Sequence, residues 1–219
     1  MNFLPRVSIL FSLMFLLGAA NATPQEALNT TNLKKISNNL TPHSFIQGEF
    51  VQERKLTGFG RTLRSTGRYL FWRDHGLYWE IQQPFFRAST FGNNASISWS
   101  APGQISSKTR PKIIQKQIGK VLVAVLGTDI ETLKKYFVVD ASVTDNEKLK
   151  WTAQLKPKDM ATKKALEQLS LTGTKSLKSI VITSANGDTT TIEFTKVNAS
   201  DGPTEDLCEL FYPDNTECQ

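Results

Sequence analysis

The sequence predicts an α+β fold: one domain of about nine to eleven short antiparallel strands, with an N-terminal helix and a helical insertion. Two observations predict the strands. Apolar residues recur with a period of two from Phe45 to about Ser100 and again after Phe137, and turn signals such as Asn186-Gly187 separate the runs. The insertion lies between the two strand blocks, where Pro111 to Leu126 changes to the helical period. No linker rich in Gly, Ser or Pro divides the chain.

The first 22 residues have the pattern of a signal peptide for export. An apolar run of 11 residues, Val7 to Leu17, precedes Ala20-Asn21-Ala22, which is the small-x-small pattern read by signal peptidase. The run is shorter than the roughly 20 apolar residues needed to cross a bilayer. We therefore expect a soluble, exported protein whose mature chain begins at Thr23.

The first half of the mature chain begins with a helix and continues with strands. Pro24 suits a first helical turn, and the helix is expected to reach Leu40, where Thr41-Pro42 ends it. Strands then follow in hairpins up to Ser100, with a turn at Asp74-His75-Gly76.

The second half resumes after the inserted helix. Thr128 to Glu131 matches a capping box for a short helix that reaches Tyr136. Strands are expected from Phe137 to Ser142 and from Leu149 to Pro157, and a short helix from Asp159 to Gln168. The last hairpin joins residues 176–184 to residues 189–196.

The tail, residues 198–219, contains both cysteines, Cys208 and Cys218. In an exported protein this pair favours a local disulfide, since oxidising compartments preserve such bonds. The pair is not a CxxC motif, so a redox function is not indicated. Two cysteines also exclude a metal site built from four thiolates.

The chain lacks the motifs of common enzyme classes. It has no GxSxG elbow, no HExxH and no phosphate-cradling glycine loop. The two histidines, His43 and His75, are placed as surface residues before a strand and in a turn. We therefore expect no enzyme, no cofactor and no metal. The formal net charge of +6 comes from single, dispersed lysines and not from a basic stripe with interleaved aromatics, so no nucleic-acid partner is expected.

A family resemblance appears between Phe50 and Pro84. Phe50-x-Gln52 lies in one strand, Gly67 follows, and the aromatic strand Tyr69 to Trp72 leads into Arg73, a turn, and Trp79 to Pro84. This order and its spacings resemble the LolA-type periplasmic outer-membrane lipoprotein carriers.

Further along the chain, Trp151 to Pro157 and Ile192 to Phe194 resemble the late strands of the same family. The resemblance covers about residues 25–197 and leaves out the tail. We therefore divide the chain into the signal peptide (1–22), the LolA-like domain (23–197) and the tail (198–219).

The resemblance implies a half-open antiparallel β-barrel with a helical lid, whose cavity binds acylated cargo. Such a protein would be a periplasmic monomer that takes lipoprotein or lipid from an inner-membrane exporter to an outer-membrane acceptor. Two stretches, residues 54–63 and 74–77, resemble a LolA-like branch associated with lipid or aryl polyene export. The cargo therefore stays open between lipoprotein, glycolipid and polyene.

The resemblance also implies site residues. Arg73 stands at the position of the family's lid-contacting arginine and is predicted to be a latch. The candidate cavity-wall residues are Phe50, Leu70, Trp72, Leu77, Trp79 and Ile81. Tyr69 and Phe71 are the alternative to Leu70 and Trp72, because only one face of a strand can line the cavity. The candidate lid residues are Ile114, Ile118, Leu122 and Val125.

Each of these apolar residues would serve an ordinary core equally well. The competing hypothesis is therefore a non-catalytic docking or assembly module, which uses the same sheet with a filled core and no cavity. An exported hydrolase is a more distant third hypothesis.

Overall fold

The computed structural model describes residues 24–40, 43–92, 96–109, 123–126, 129–145, 149–214 and 218. The strands are β1 (Phe45–Lys55), β2 (Thr62–Trp72), β3 (Gly76–Gln83), β4 (Arg87–Gly92), β5 (Ser96–Ala101), β6 (Gln104–Thr109), β7 (Phe137–Asp145), β8 (Lys150–Pro157), β9 (Leu166–Gly173), β10 (Leu177–Ser184) and β11 (Thr189–Ser200). The helices are α1 (Pro24–Asn39), α2 (Ile130–Tyr136), α3 (Met160–Lys163) and α4 (Glu205–Cys208). Residues 123–126 are also helical.

All eleven strands belong to one antiparallel sheet, in the order β6-β5-β4-β3-β2-β1-β11-β10-β9-β8-β7. The first and last strands, β1 and β11, pair at the centre, where Phe50 lies opposite Phe194. The outermost strands of the described sheet, β6 and β7, do not pair with each other, so the barrel is open. This confirms the predicted fold class.

Most predicted elements are present, and the differences have a local cause. The predicted helix from Asp159 to Gln168 is only one turn long, because β9 begins at Leu166 and pairs with both β8 and β10. Burial of Leu169 and Leu171 in the sheet overrides the helical propensity of this stretch. Strand β6 was not predicted either, since its sequence QISSKT has no apolar alternation and it forms by pairing with β5.

Helix α2 begins one residue later than the capping box implied. The N-cap is Asp129, whose side chain accepts a hydrogen bond from the Thr132 backbone N–H at 2.9 Å. Of the predicted helix at 111–126, only residues 123–126 lie within the described part of the chain, and they are helical.

The sheet packs against different elements on its two faces. We call the face that packs against α1 and residues 123–126 the helix face, and the opposite face, which packs against residues 207–212, the tail face. The helix face forms the larger apolar cluster and spans both halves of the sheet. The tail-face cluster involves β1 to β5.

Candidate functional site

Aromatic side chains from the central strands form the middle of the helix face. The Phe50 ring stacks on Trp79 at a centroid distance of 3.9 Å, and Tyr69 meets Phe194 edge-on at 5.0 Å. Gly67 makes this packing possible, since a Cβ there would overlap the Glu80 carbonyl oxygen and press on the Phe50 ring. The glycine of the recognised motif is therefore needed for close contact between β2 and β3.

Helical segments cover these rings with aliphatic side chains. Leu33 and Ile36 of α1 and Leu40, which follows it, pack into the same cluster as Val125 and its neighbours 124 and 126. No second sheet covers this face in the described part of the chain. An apolar surface closed by helices is therefore the main feature of the site.

Helix α1 is also bound to the edge strand β7 through polar contacts. The Asn29 side chain donates to the Val139 carbonyl at 2.8 Å and accepts from the Ala141 N–H at 2.9 Å. Asn32 donates to the Ala141 carbonyl at 2.9 Å. These two asparagines satisfy backbone groups on an outer strand and hold α1 beside it.

Arg73, the predicted latch, lies just beyond the end of β2. Its guanidinium donates through Nε and Nη2 to the His43 carbonyl oxygen, at 3.3 and 3.2 Å, and its backbone N–H donates to the Ser44 carbonyl at 2.8 Å. The resemblance implied an acceptor in the lid helices, whereas the acceptor here lies in the connection between α1 and β1. Arg73 therefore ties the end of β2 to the segment that follows α1.

A cavity of about 310 Å³ lies beside Arg73, between the end of β2 and the helical segments. Its lining includes Phe71, Arg73, Asp74, Asp129, Lys135 and residues 123–124. Burial alone would raise the pKa of Asp129, but hydrogen bonds from Thr132 and the positive charges of Lys135 and Arg73 hold that pKa below its usual value. The polar side of the cavity thus contains both charge signs, and Asp129 stays ionised.

The structure divides the predicted cavity-wall residues between the two faces. Phe50, Leu77, Trp79 and Ile81 lie on the helix face. Leu70 and Trp72 lie on the tail face, because neighbouring residues of a strand point to opposite sides and Tyr69 and Phe71 occupy the helix face. Of the predicted lid residues, Val125 is buried in the helix-face cluster. Ile114, Ile118 and Leu122 lie outside the described residues.

The tail packs closely on the sheet, which sequence reasoning did not predict. Phe211 is buried, and the Leu210 carbonyl accepts a hydrogen bond from Thr90 Oγ1 at 2.8 Å. The Tyr212 hydroxyl lies 2.6 Å from His75 Nδ1, and the His75 ring stacks on Trp72. The signal for this contact was the run of apolar residues from Leu210 to Tyr212 in an otherwise polar segment.

A disulfide closes a loop within the same tail, and an ion pair joins the tail to the sheet. Cys208 and Cys218 form a disulfide, and Lys108 of β6 forms an ion pair with Asp214. The described residues of the tail up to Asp214 therefore pack on the sheet.

A buried carboxylate also lies in the first half of the sheet. Glu80 accepts hydrogen bonds from the Tyr78 hydroxyl at 2.6 Å, Gln82 Nε2 at 2.8 Å and Arg68 Nη2 at 2.9 Å. Burial acts to raise the pKa of Glu80, but these three donors outweigh it and the pKa lies below the ordinary value. Every donor is a neighbour on β2 or β3, so the cluster joins these two strands.

Neither a metal site nor a membrane-spanning helix is found in the described ranges. No three His, Cys, Asp or Glu side chains there are grouped so that they could hold an ion. The helices in those ranges are too short or too polar to cross a bilayer.

The described chain thus forms an open antiparallel barrel with one apolar face closed by helices. The family model "Outer membrane lipoprotein carrier protein LolA" matches residues 43–209, and the chain therefore belongs to the LolA family. Members of this family are periplasmic carrier or binding proteins and not enzymes. The match extends past residue 197 and includes α4, so the family's pattern reaches into the segment we assigned to the tail.

Several solved structures are similar in fold at low sequence identity. A LolA superfamily protein from Nitrosomonas europaea is 11% identical, with 80% of this chain and 95% of that chain covered and a TM-score of 0.47. An outer membrane lipoprotein-sorting protein domain from Vibrio parahaemolyticus is 8% identical, with coverage of 85% and 98% and a TM-score of 0.43. The MucA/MucB complex of Pseudomonas aeruginosa contains a chain that is 14% identical, with coverage of 82% and 59% and a TM-score of 0.42. No curated protein matches the sequence.

Proposed function

We propose that this protein is a periplasmic carrier that binds the acyl chains of a lipoprotein or lipid on the helix face and shuttles them from the inner to the outer membrane. The observation that carries the proposal is the helix face itself: aromatic side chains of the central strands are buried by aliphatic residues of helices. Helices can separate from such a surface without breaking the hydrogen bonds of the sheet.

Energetics explain why a carrier needs this surface. Each CH₂ group removed from water contributes about 0.8 kcal/mol, so a long acyl chain represents roughly 10 kcal/mol that must be supplied by protein contacts outside the membrane. The helix face offers contacts of the same chemical kind, since its cover is aliphatic. The cover and the cargo would therefore compete for one surface.

The size of the cavity supports a cover that moves. At about 310 Å³ the cavity is at the lower end of the range of about 300–1,000 Å³ that is typical of small-molecule pockets. A long acyl chain thus needs the space now filled by α1 or by residues 123–126. Arg73 would oppose this movement through its two hydrogen bonds to His43.

Family membership supports the remaining parts of the proposal. Residues 1–22 would direct export, and an inner-membrane exporter and an outer-membrane acceptor would be the partners of a monomeric carrier. The cargo would be a lipoprotein, a glycolipid or a polyene lipid.

One observation favours the second hypothesis, a non-catalytic docking module. Phe50 and Leu77 are almost fully buried beneath the helices, as in an ordinary filled core. A module of this kind would keep its helices in place and take up no acyl chain.

The four tryptophans provide the test, because two lie on each face. Trp79 and Trp151 belong to the helix-face cluster, whereas Trp72 and Trp99 belong to the tail-face cluster. Bromine atoms quench tryptophan emission only at short range, so a brominated fatty acid reports which face it enters. We expect saturable quenching of the exported protein, a partial loss of that quenching in Trp79→Phe, where Trp151 still reports on the helix face, and quenching retained in the matched control Trp72→Phe.

Two results would contradict the carrier proposal. Absence of any quenching, together with a clean apo mass of the exported protein in native mass spectrometry, would favour the docking module. Equal loss of quenching in both variants would place the fatty acid somewhere other than the helix face.

A further inference from the structure

Five strand connections lie at one end of the open barrel. Because the sheet is a series of antiparallel hairpins, the β1–β2, β3–β4, β5–β6, β8–β9 and β10–β11 connections all emerge on the same side. Hydrogen bonds join three of them: the Thr57 N–H donates to Asp188 Oδ1 at 2.8 Å, and the Ala185 N–H donates to the Ala165 carbonyl at 3.1 Å. We call this end, residues 53–64, 83–87, 101–105, 158–167 and 184–189, the hairpin rim.

Large apolar side chains are exposed on this rim. Phe85 is 82% exposed, Met160 69% and Phe59 51%, and each projects from a different connection. Leu63 and Ile105, the second residues of β2 and β6, are also exposed. Elsewhere in the described part of the chain only Leu28 and Val138 are large, apolar and exposed. The rim therefore concentrates the apolar surface that the fold leaves in contact with water.

The charge of the rim is basic. Its segments contain eight Lys or Arg residues and four Asp or Glu residues. Three of the four acids already have partners: Glu53 pairs with Arg64, Asp188 pairs with Arg54, and Asp159 caps α3 by accepting from the Thr162 N–H.

Several cations of the rim are left without such partners. Within the described residues Arg61, Arg87, Lys163 and Lys164 form no ion pair, and all four are exposed. Net positive charge thus surrounds the apolar tips.

We propose that the hairpin rim docks on the surface of a bilayer that contains anionic lipids. Phe59, Phe85 and Met160 would enter the boundary between headgroups and acyl chains, while the basic side chains contact lipid phosphates. Isolated apolar tips among cations suit a fluid interface, which adapts to each side chain separately and whose anionic headgroups attract Lys and Arg. The rim is separate from the helix face, so this inference goes beyond the proposed carrier function.

Vesicle flotation tests the proposal with the exported protein free of detergent. The protein should float with vesicles of equal parts phosphatidylglycerol and phosphatidylcholine. It should stay unbound with phosphatidylcholine alone, and added salt should release it, since screening weakens exposed charge contacts. Absence of binding to the anionic vesicles would overturn the proposal.

Matched variants separate the apolar and the basic contributions. Phe85→Ser should lower the partition coefficient about tenfold, which corresponds to about 1.4 kcal/mol, because the phenyl ring is no longer transferred out of water. Leu28→Ser, which replaces another exposed apolar residue, on α1, should leave the partition coefficient unchanged.

The double variant Lys163→Glu with Lys164→Glu should also weaken binding to the anionic vesicles severalfold. The control pair Lys175→Glu with Lys178→Glu changes the same charge on or beside the β9–β10 turn, at the opposite end of the barrel, and should have a smaller effect. Equal binding by the rim and control variants would overturn the proposal.

The fatty-acid quenching experiment keeps this inference distinct from the carrier function. Loss of vesicle binding in Phe85→Ser, with quenching at Trp79 unchanged, would support the rim as a separate surface. Vesicle binding that persists while quenching fails would contradict the carrier proposal alone.

Discussion

The two halves of the sheet differ in what covers the side away from the helices. In β7 and β8 that side is exposed and largely polar, and the outward residues of β8 are Lys150, Thr152, Gln154 and Lys156. In β2 to β5 the same side is apolar and is covered by the tail. The first half of the sheet is thus buried on both faces and the second half on one.

The two halves also differ in the side-chain contacts that hold their strands in place. The first half is held by the Lys108–Asp214 ion pair, the Tyr212–His75 contact and the Glu80 cluster. The second half has no comparable layer on its outer side among the described residues. We call the first half, β2 to β5 with the tail on its outer side, the tail-backed half. In a carrier built in this way, the strands of the tail-backed half would stay in place while α1 and residues 123–126 move over the helix face.

The largest expected effect comes from removing the tail's buried anchor. Phe211→Ala should lower the free energy of unfolding by about 3–5 kcal/mol, because it leaves a cavity over Leu70 and Trp72 in the tail-face cluster. The matched change on the outer side of the second half, Thr152→Ala, should change stability by no more than about 0.5 kcal/mol. Urea denaturation measures both variants. Similar losses of unfolding free energy would show that packing of the tail does not stabilise the first half of the sheet.

The same comparison explains how far the sequence could predict the fold. Strand β8 alternates strictly between buried and exposed residues, so its inward side, with Trp151, Ala153 and Leu155, is evident from the sequence. The Tyr69 to Trp72 stretch of β2 has no polar residue in alternation, because both of its faces are buried.

The candidate site was harder to predict for the same reason. The sequence left Leu70 and Trp72 open against Tyr69 and Phe71, and only the packing of the tail decides between them. The acceptor of Arg73 was unpredictable for a related reason, since it depends on His43, 30 residues away in the chain. Strand β6 was missed because its sequence has no apolar alternation.

A smaller effect is expected at Arg73, which joins the end of β2 to the connection that follows α1, one of the helices over the helix face. Loss of its two hydrogen bonds to the His43 carbonyl in Arg73→Leu should favour the open cover by about 1.5–3 kcal/mol, the range for hydrogen bonds to charged groups. Acyl chains should then bind more tightly and leave about tenfold more slowly.

Stopped-flow release of a fluorescent fatty acid measures this change. Arg73→Lys serves as the conservative control, since it retains the charge but not the planar pair of donors. Release rates that are unchanged in Arg73→Leu would remove the latch role.

The smallest effect concerns pH and the buried carboxylate of the first half. Three hydrogen bonds hold the pKa of Glu80 below its ordinary value in the folded protein. A carboxylate whose folded pKa is lowered stabilises the protein above the unfolded pKa, and this contribution is lost as the pH falls through the folded pKa. Stability should therefore decline below about pH 5, partly because of Glu80.

Glu80→Gln should flatten that decline, since an amide has no proton to gain, although it lowers stability at neutral pH by weakening the link to Arg68. Glu193→Gln is the matched control. It removes an exposed carboxylate on the side of β11 that faces away from the helices, and the pH dependence of stability should then match that of the unaltered protein. Urea midpoints between neutral pH and pH 3 measure both variants. If Glu80→Gln kept the full pH dependence, the acid sensitivity would arise outside the tail-backed half, and the contrast between the two halves would not extend to their electrostatics.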